Sequence, residues 1–197
     1  VIQNLKKLLQ SKKMLTNVGD EGGFAPSINT NEEALEFIVQ AIEKANLKPG
    51  KDITICLDVA ANELINEKGE YSIKSKSFVP VDSVINYYNK IISEYPIKSI
   101  EDPFAEDDWE SWQKITKSIG NNVQIVGDDL FVTNTKRLER GIQEKSANSI
   151  LIKPNQIGTL TETLEVIIMA KKANLNTIIS HRSGDTEDTF IADLAVG

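Results

Sequence analysis

Short runs of β-branched and aliphatic residues alternate along this chain with longer segments in which apolar positions recur every three or four residues. The short runs predict strands over residues 14–18, 53–58, 97–101, 123–127, 149–153 and 177–180. Between the first two lies a predicted helix with Leu35, Ile38, Ile42 and Ala45 on one face, begun by the capping-box pattern Thr30-x-x-Glu33. A second follows Gly158 through Thr159-x-x-Glu162, with Leu160, Leu164, Ile167 and Ile168 expected on its buried side. Residues 80–95, 109–119 and 186–196 read as further helices. Strand and helix alternating from end to end predict an α/β parallel architecture. Residues 64–77, with Asn66, Gly69 and the alternating run 71–74, break the rhythm as a small excursion, read as a hairpin.

The predicted strands end in polar groups: Asp58, Glu101, Asp128, Lys153 and then His181-Arg182. After the hairpin excursion these ends recur at roughly the 30-residue length of one strand–helix unit. In a parallel barrel the C-terminal strand ends meet at one mouth, so these side chains are expected to share a site. A closed TIM-type barrel has eight strands, of which about six are recognised here.

Composition narrows the class. The formal charge of −7 argues against nucleic acid, whose phosphates it would repel. No run approaches the roughly 20 apolar residues of a membrane span, and no signal-peptide pattern opens the chain. The single cysteine, Cys56, excludes an internal disulfide framework, suits a reducing compartment and, within Ile53-Thr54-Ile55-Cys56-Leu57, reads as a buried thiol. The chain starts at Val1 and stops at Gly197 inside a helical pattern, so it is expected to be a piece of a longer protein.

Magnesium takes carboxylate oxygens in a shell completed by water and substrate. Asp58, Glu101 and Asp128 meet that demand, without the thiolate or multiple imidazole ligands of a zinc site. Singly, each could be a helix cap or a solvated loop charge; three on consecutive units point to a metal. Lys153 leaves an apolar strand beside them. Partial burial and neighbouring cations favour a neutral amine, the form a general base needs, though a lysine there also serves as a salt-bridge partner. Pro154 holds Lys153 in extended backbone. Ser180-His181-Arg182-Ser183-Gly184, read as running into a helix, offers a guanidinium, a hydroxyl and free amides for an anion such as phosphate. His181, the only histidine, is a structural imidazole or a substrate contact. The glycine-dense loop Gly19-Asp20-Glu21-Gly22-Gly23 hangs over the same mouth, where Glu21 could serve as an acid. Asp102 and Asp129 read as supports for their ligand neighbours.

The stretches Val18-Gly-Asp-Glu-Gly-Gly-Phe-Ala-Pro26, Leu57-Asp-Val-Ala-Ala61, Ser99-Ile-Glu-Asp-Pro-Phe104, Gly127-Asp-Asp-Leu130, Asn155-Gln-Ile-Gly158 and Ser180-His-Arg-Ser-Gly184 closely resemble the enolases. They run nearly from end to end, and the segment from Phe131 to Gly141 looks like the bacterial branch. The resemblance implies the C-terminal catalytic barrel of a phosphopyruvate hydratase, incomplete at both ends, over residues 1–197. It implies Mg2+ held by Asp58, Glu101 and Asp128, and Lys153 as the base at C2 of 2-phosphoglycerate. Glu21 becomes the acid that assists departure of the C3 hydroxyl, Arg182 and Ser183 the phosphate holders, and His181 a substrate contact. Glu101 and Asp128 adjoin the substrate as well. The product is phosphoenolpyruvate.

The family's N-terminal α+β domain, whose loop serine binds a second magnesium, has no counterpart among these residues. Pro154 stands where the family pattern has valine, and Asn62 where it has serine. The resemblance further implies a cytoplasmic homodimer or larger assembly, with surface or secreted forms known in the family. Isolated, the chain is expected to be poorly stable or inactive. Two other readings stay open: another acid or sugar dehydratase of the same superfamily, and a non-catalytic surface or scaffold protein that binds plasminogen or other proteins.

Overall fold

The chain forms one parallel sheet backed by helices in a computed structural model that describes residues 1–19, 21–74 and 77–197. Five strands lie in sequence order: β1 (Ile55–Asp58), β4 (Ile97–Glu101), β5 (Gln124–Gly127), β6 (Ser149–Ile152) and β7 (Asn176–Ile179). A separate antiparallel hairpin, β2 (Tyr71–Lys74) and β3 (Ser77–Val79), fills the excursion after β1. The helices are α1 (Ile2–Ser11), α2 (Asn31–Glu43), α3 (Val81–Glu94), α4 (Trp109–Ile119), α5 (Thr135–Glu144), α6 (Pro154–Ile157), α7 (Leu160–Lys172) and α8 (Phe190–Val196). This is an α/β barrel sector rather than a closed barrel, in keeping with the predicted class.

Register explains why the chemistry collects on one rim. Asp58 pairs with Glu101 and Cys56 with Ser99 across β1 and β4. Side chains alternate faces along a strand, so these four share one face while Leu57 and Ile100 turn to the helices. The main core lies between sheet and helices: Ile100, Ile125, Ile150 and Ile152 pack with Trp112, Phe131, Leu138 and Val166, all fully buried. Both predicted caps form, with Glu33 and Glu162 donating backbone N–H to Thr30 and Thr159 Oγ1 at 3.2 Å each. A smaller cluster of Leu8, Leu9 and Phe37 ties α1 to α2.

Four expectations are corrected. Residues 14–18 form no sheet strand: Val18 bridges Phe24, and Gly19 and Ala25 N–H groups bond Gly23 and Asn17 carbonyls. The loop satisfies its backbone locally, leaving Leu15 and Val18 more than half exposed. Cys56 is exposed, because β1 is a sheet edge whose inner face is uncovered. On α7 only Ile167 of the expected apolar face is buried; Leu160, Leu164 and Ile168 face outward, and Thr163, Val166 and Ala170 take the inner side. The last helix begins at Phe190 rather than near residue 186, since side chains claim the intervening amides: Thr186 N–H donates to Asp185 Oδ1 at 3.0 Å and Phe190 N–H to Asp188 Oδ1 at 2.8 Å.

Three helices form where none was expected. In α1, Leu5, Leu8 and Leu9 carried a readable helical spacing. In α5 only Leu138 and Gly141 are buried, too few to make a stripe. The one-turn α6 starts at Pro154, suited to a first helical position.

Candidate functional site

A cavity of about 640 Å3 opens at the C-terminal rim of the sheet. Glu21, Asp58, Glu101, Asp128, Lys153, His181, Arg182 and Ser183 all line it. Each strand delivers its group because the chain turns there: β1 ends at Asp58, β4 at Glu101, β5 just before Asp128 and β6 just before Lys153. Lys153 is extended, with φ −118° and ψ 98°, the conformation Pro154 imposes on its predecessor.

The floor is acidic. Carboxylate oxygens close to within 4.8 Å of one another in two sets, Asp58 with Glu101 and Asp102, and Asp102 with Asp128 and Asp129. Asp102 is common to both and is only 3% exposed. Its Oδ1 and Oδ2 accept the backbone N–H groups of Asp128 and Asp129, each at 3.0 Å. Asp102 is thus engaged with the backbone, whereas Asp58, Glu101 and Asp128 line the cavity.

Crowded acids resist ionisation. Loss of solvation, then the charges of Asp58 and Asp128, push Glu101 up to about 8. Burial also raises Asp102 to about 7, against the two amide bonds it accepts. Asp58 is raised for the same first reason, although it stands open at the mouth, with the Ala60 N–H at 3.2 Å opposing the shift.

One cation already sits on this floor. Lys153 Nζ lies 2.5 Å from Asp128 Oδ2, and both side chains are mostly buried. The other Asp128 oxygen, Oδ1, is buried and makes no hydrogen bond among the described residues. A buried orphan carboxylate oxygen among all-oxygen donors fits a hard divalent cation such as Mg2+.

The opposite chemistry gathers above. Ser183 Oγ donates to Glu21 Oε1, and His181 Nε2 lies 3.7 Å from Glu21 Oε2. The Ser183 hydrogen bond, with His181 and Lys153 adding, lowers the Glu21 carboxyl despite its full exposure. Asp20, beside it, lies outside the described residues. Arg182 lines the cavity with Ser183, but the amides of residues 183–184 are not helix-start amides, because α8 begins later.

Some partners went unread in the sequence. Asn155 Nδ2 donates to Asp185 Oδ2 at 3.2 Å, clipping the β6 end to the β7 loop. Asn62 joins the acidic floor by donating to Asp129 Oδ2 at 2.9 Å while accepting the Glu106 N–H at 2.9 Å. Thr133 Oγ1 accepts the Lys153 N–H at 2.9 Å and donates to Gln156 Oε1 at 3.1 Å. These contacts span distant sequence positions, and single amide or hydroxyl side chains carry no local pattern that announces them.

Comparison with known proteins follows the same lines. Residues 1–197 match the family described as enolase, C-terminal TIM barrel domain. The chain is 64% identical over 197 residues to the protein named enolase of Pelagibacter ubique. That match takes in 100% of this chain and 47% of the relative, so the chain spans about half the length of the curated protein it matches.

Proposed function

Because this chain belongs to the enolase family, we propose that it is the larger part of the catalytic barrel of a phosphopyruvate hydratase, which interconverts 2-phosphoglycerate and phosphoenolpyruvate. The remaining barrel strands and an N-terminal α+β domain belong, on this reading, to the rest of a longer polypeptide, consistent with the 47% coverage of the relative. The observation that carries the reaction is the juxtaposition of Lys153, the acidic floor, Glu21 and Arg182-Ser183 around one cavity.

Lys153 Nζ removes the proton at C2 of the substrate. A lysine or histidine base beside magnesium is the pattern already known for this superfamily, not an inference from this chain. The apolar stem of β6 and the Asp128 contact at 2.5 Å fix where Nζ can reach. Asp58, Glu101 and Asp128 would hold Mg2+. When bound, Mg2+ supplies the positive charge that stabilises negative charge building on the substrate carboxylate.

Glu21 handles the leaving C3 hydroxyl, giving it a proton in the forward direction and recovering one in reverse. Its glycine-flanked loop provides the approach, and the contacts with Ser183 and His181 orient it. Arg182 and Ser183 bind the phosphate, and His181 adjoins the substrate. A second magnesium site, in the N-terminal domain, a homodimeric or larger assembly, and a cytoplasmic setting complete the proposal.

The test is an assay with Mg2+ and 2-phosphoglycerate, following phosphoenolpyruvate by its ultraviolet absorbance, on this chain and on a polypeptide extended at both ends. Turnover in the extended form supports the reading. Its absence from both forms overturns it.

A further inference from the structure

The turn after β5 is strained, and the strain has a purpose legible in its contacts. Val132 and Thr133 both adopt left-handed backbone, with φ of 43° and 51°. β-branched residues pay heavily for that conformation, and two in succession persist only where the surroundings over-determine them. Phe131 supplies that constraint. It is fully buried, and its ring lies so close to Gly127 and Gly141 that a Cβ on either would come within 2.6 and 2.3 Å of it. Carbonyl bonds close the turn: the Phe131 and Val132 N–H groups donate to Asp128 O at 3.1 and 2.8 Å.

The strained geometry delivers a single hydroxyl to one place. Thr133 is 0% exposed. Its Oγ1 donates to Gln156 Oε1 at 3.1 Å, which aims a lone pair at the Lys153 N–H 2.9 Å away. Lys153 follows the last residue of β6 and precedes Pro154, which cannot donate a ladder bond. The same turn begins at Asp128, whose Oδ2 holds Lys153 Nζ at 2.5 Å. One six-residue loop therefore grips Lys153 at both ends, by the side chain through Asp128 and by the backbone through Thr133.

We infer that Thr133 is a positioning residue: its buried hydroxyl fixes the backbone of Lys153 and so sets where the Lys153 amine stands over the substrate. This deepens the proposed function and rests on the reading of Lys153 as the base. A base misplaced by about 1 Å loses on the order of 100-fold in rate without losing substrate affinity. Serine keeps the hydroxyl; valine keeps the shape and removes it.

Two measurements separate the inference from the reading beneath it. The first is amide hydrogen exchange in the extended polypeptide, which requires no activity. Thr133→Val should speed exchange at Lys153 by about tenfold or more relative to Leu151 and Ile152, and Thr133→Ser should restore it. The second is turnover of 2-phosphoglycerate by the extended polypeptide. Thr133→Val should lower kcat by about 10- to 100-fold with KM changed less than about threefold, and Thr133→Ser should recover most of the rate. If Thr133→Val does not fold, Gln156→Met decides instead, since it frees the hydroxyl to rotate and should lower kcat with KM unchanged. Exchange at Lys153 unaffected by the valine, a serine variant as slow as the valine one, or full kcat in Gln156→Met overturns the inference. Wild-type inactivity toward 2-phosphoglycerate would sink the functional reading while the exchange result still decided whether Thr133 fixes Lys153.

Discussion

Asp102 holds Asp128 by its backbone: the Asp102 Oδ1 accepts the Asp128 N–H at 3.0 Å from within a left-handed turn at φ 42°. Because its Oδ2 takes the neighbouring Asp129 N–H, one buried carboxylate at the end of β4 determines how the end of β5 presents its acids. Replacing Asp102 by Asn turns an amide NH2 toward one of these donors. Asp102→Asn should destabilise the chain by about 1–3 kcal/mol and weaken Mg2+ binding by about 10- to 100-fold. Urea unfolding and calorimetric Mg2+ titration would measure the two, and wild-type values in both would remove Asp102 from any supporting role.

The acidic floor makes stability depend on pH. With Glu101 raised to about 8 and Asp102 to about 7, the folded chain binds more protons than the unfolded one from roughly pH 4 up to those values. Their contribution is most favourable below that window and is lost as pH rises through it. Without metal, the melting temperature should fall between pH 5.5 and 8.5. Mg2+ should raise it more at pH 8.5, where it no longer competes with a proton on Glu101. A Mg2+ stabilisation larger at pH 5.5 would reverse the sign and contradict the assignment.

On the proposed reading, Lys153 and Mg2+ would share the Asp128 carboxylate. In the extended polypeptide, Lys153→Ala should depress exchange of the C2 proton of 2-phosphoglycerate by at least about 100-fold. Mg2+ affinity should stay near wild type or tighten, since removing the ammonium 2.5 Å from Asp128 removes a competing cation. Deuterium exchange followed by proton NMR, with a parallel Mg2+ titration, distinguishes this from a purely structural lysine, whose loss would spare exchange.

Gly141 lies inside α5, where replacing glycine by alanine ordinarily stabilises a helix by about 1 kcal/mol. Here the new methyl would stand 2.3 Å from Phe131 Cε1. Gly141→Ala should instead cost about 1–3 kcal/mol, read from the shift in the urea midpoint. A stabilised variant would mean that Phe131 is free to move and does not constrain the turn at residues 132–133.

Much of the site could be read in one dimension because strands are short and end in what they deliver. Asp58, Glu101, Asp128 and Lys153 each follow a short β-branched or aliphatic run, so such a run followed by a charge was enough to place them on one rim. The Thr159 and Thr30 caps were equally local, and the excursion read over residues 64–77 does hold a hairpin, though its strands are Tyr71–Lys74 and Ser77–Val79. The two cap signals needed only residues three apart.

What the sequence by itself determined was the alternation of strand and helix, the acids and the lysine at the strand ends, and the family motifs, since each is encoded by neighbours along the chain. The tertiary structure alone decided that Cys56 lies exposed at a sheet edge, that residues 14–18 bond to their own loop, and that α7 turns Thr163, Val166 and Ala170 inward instead of Leu160, Leu164 and Ile168. It alone paired Asp102 with the backbone of Asp128 and Thr133 with Lys153. Burial and hydrogen-bond partnership depend on which surfaces meet across many residues of sequence, and no local pattern carries that information.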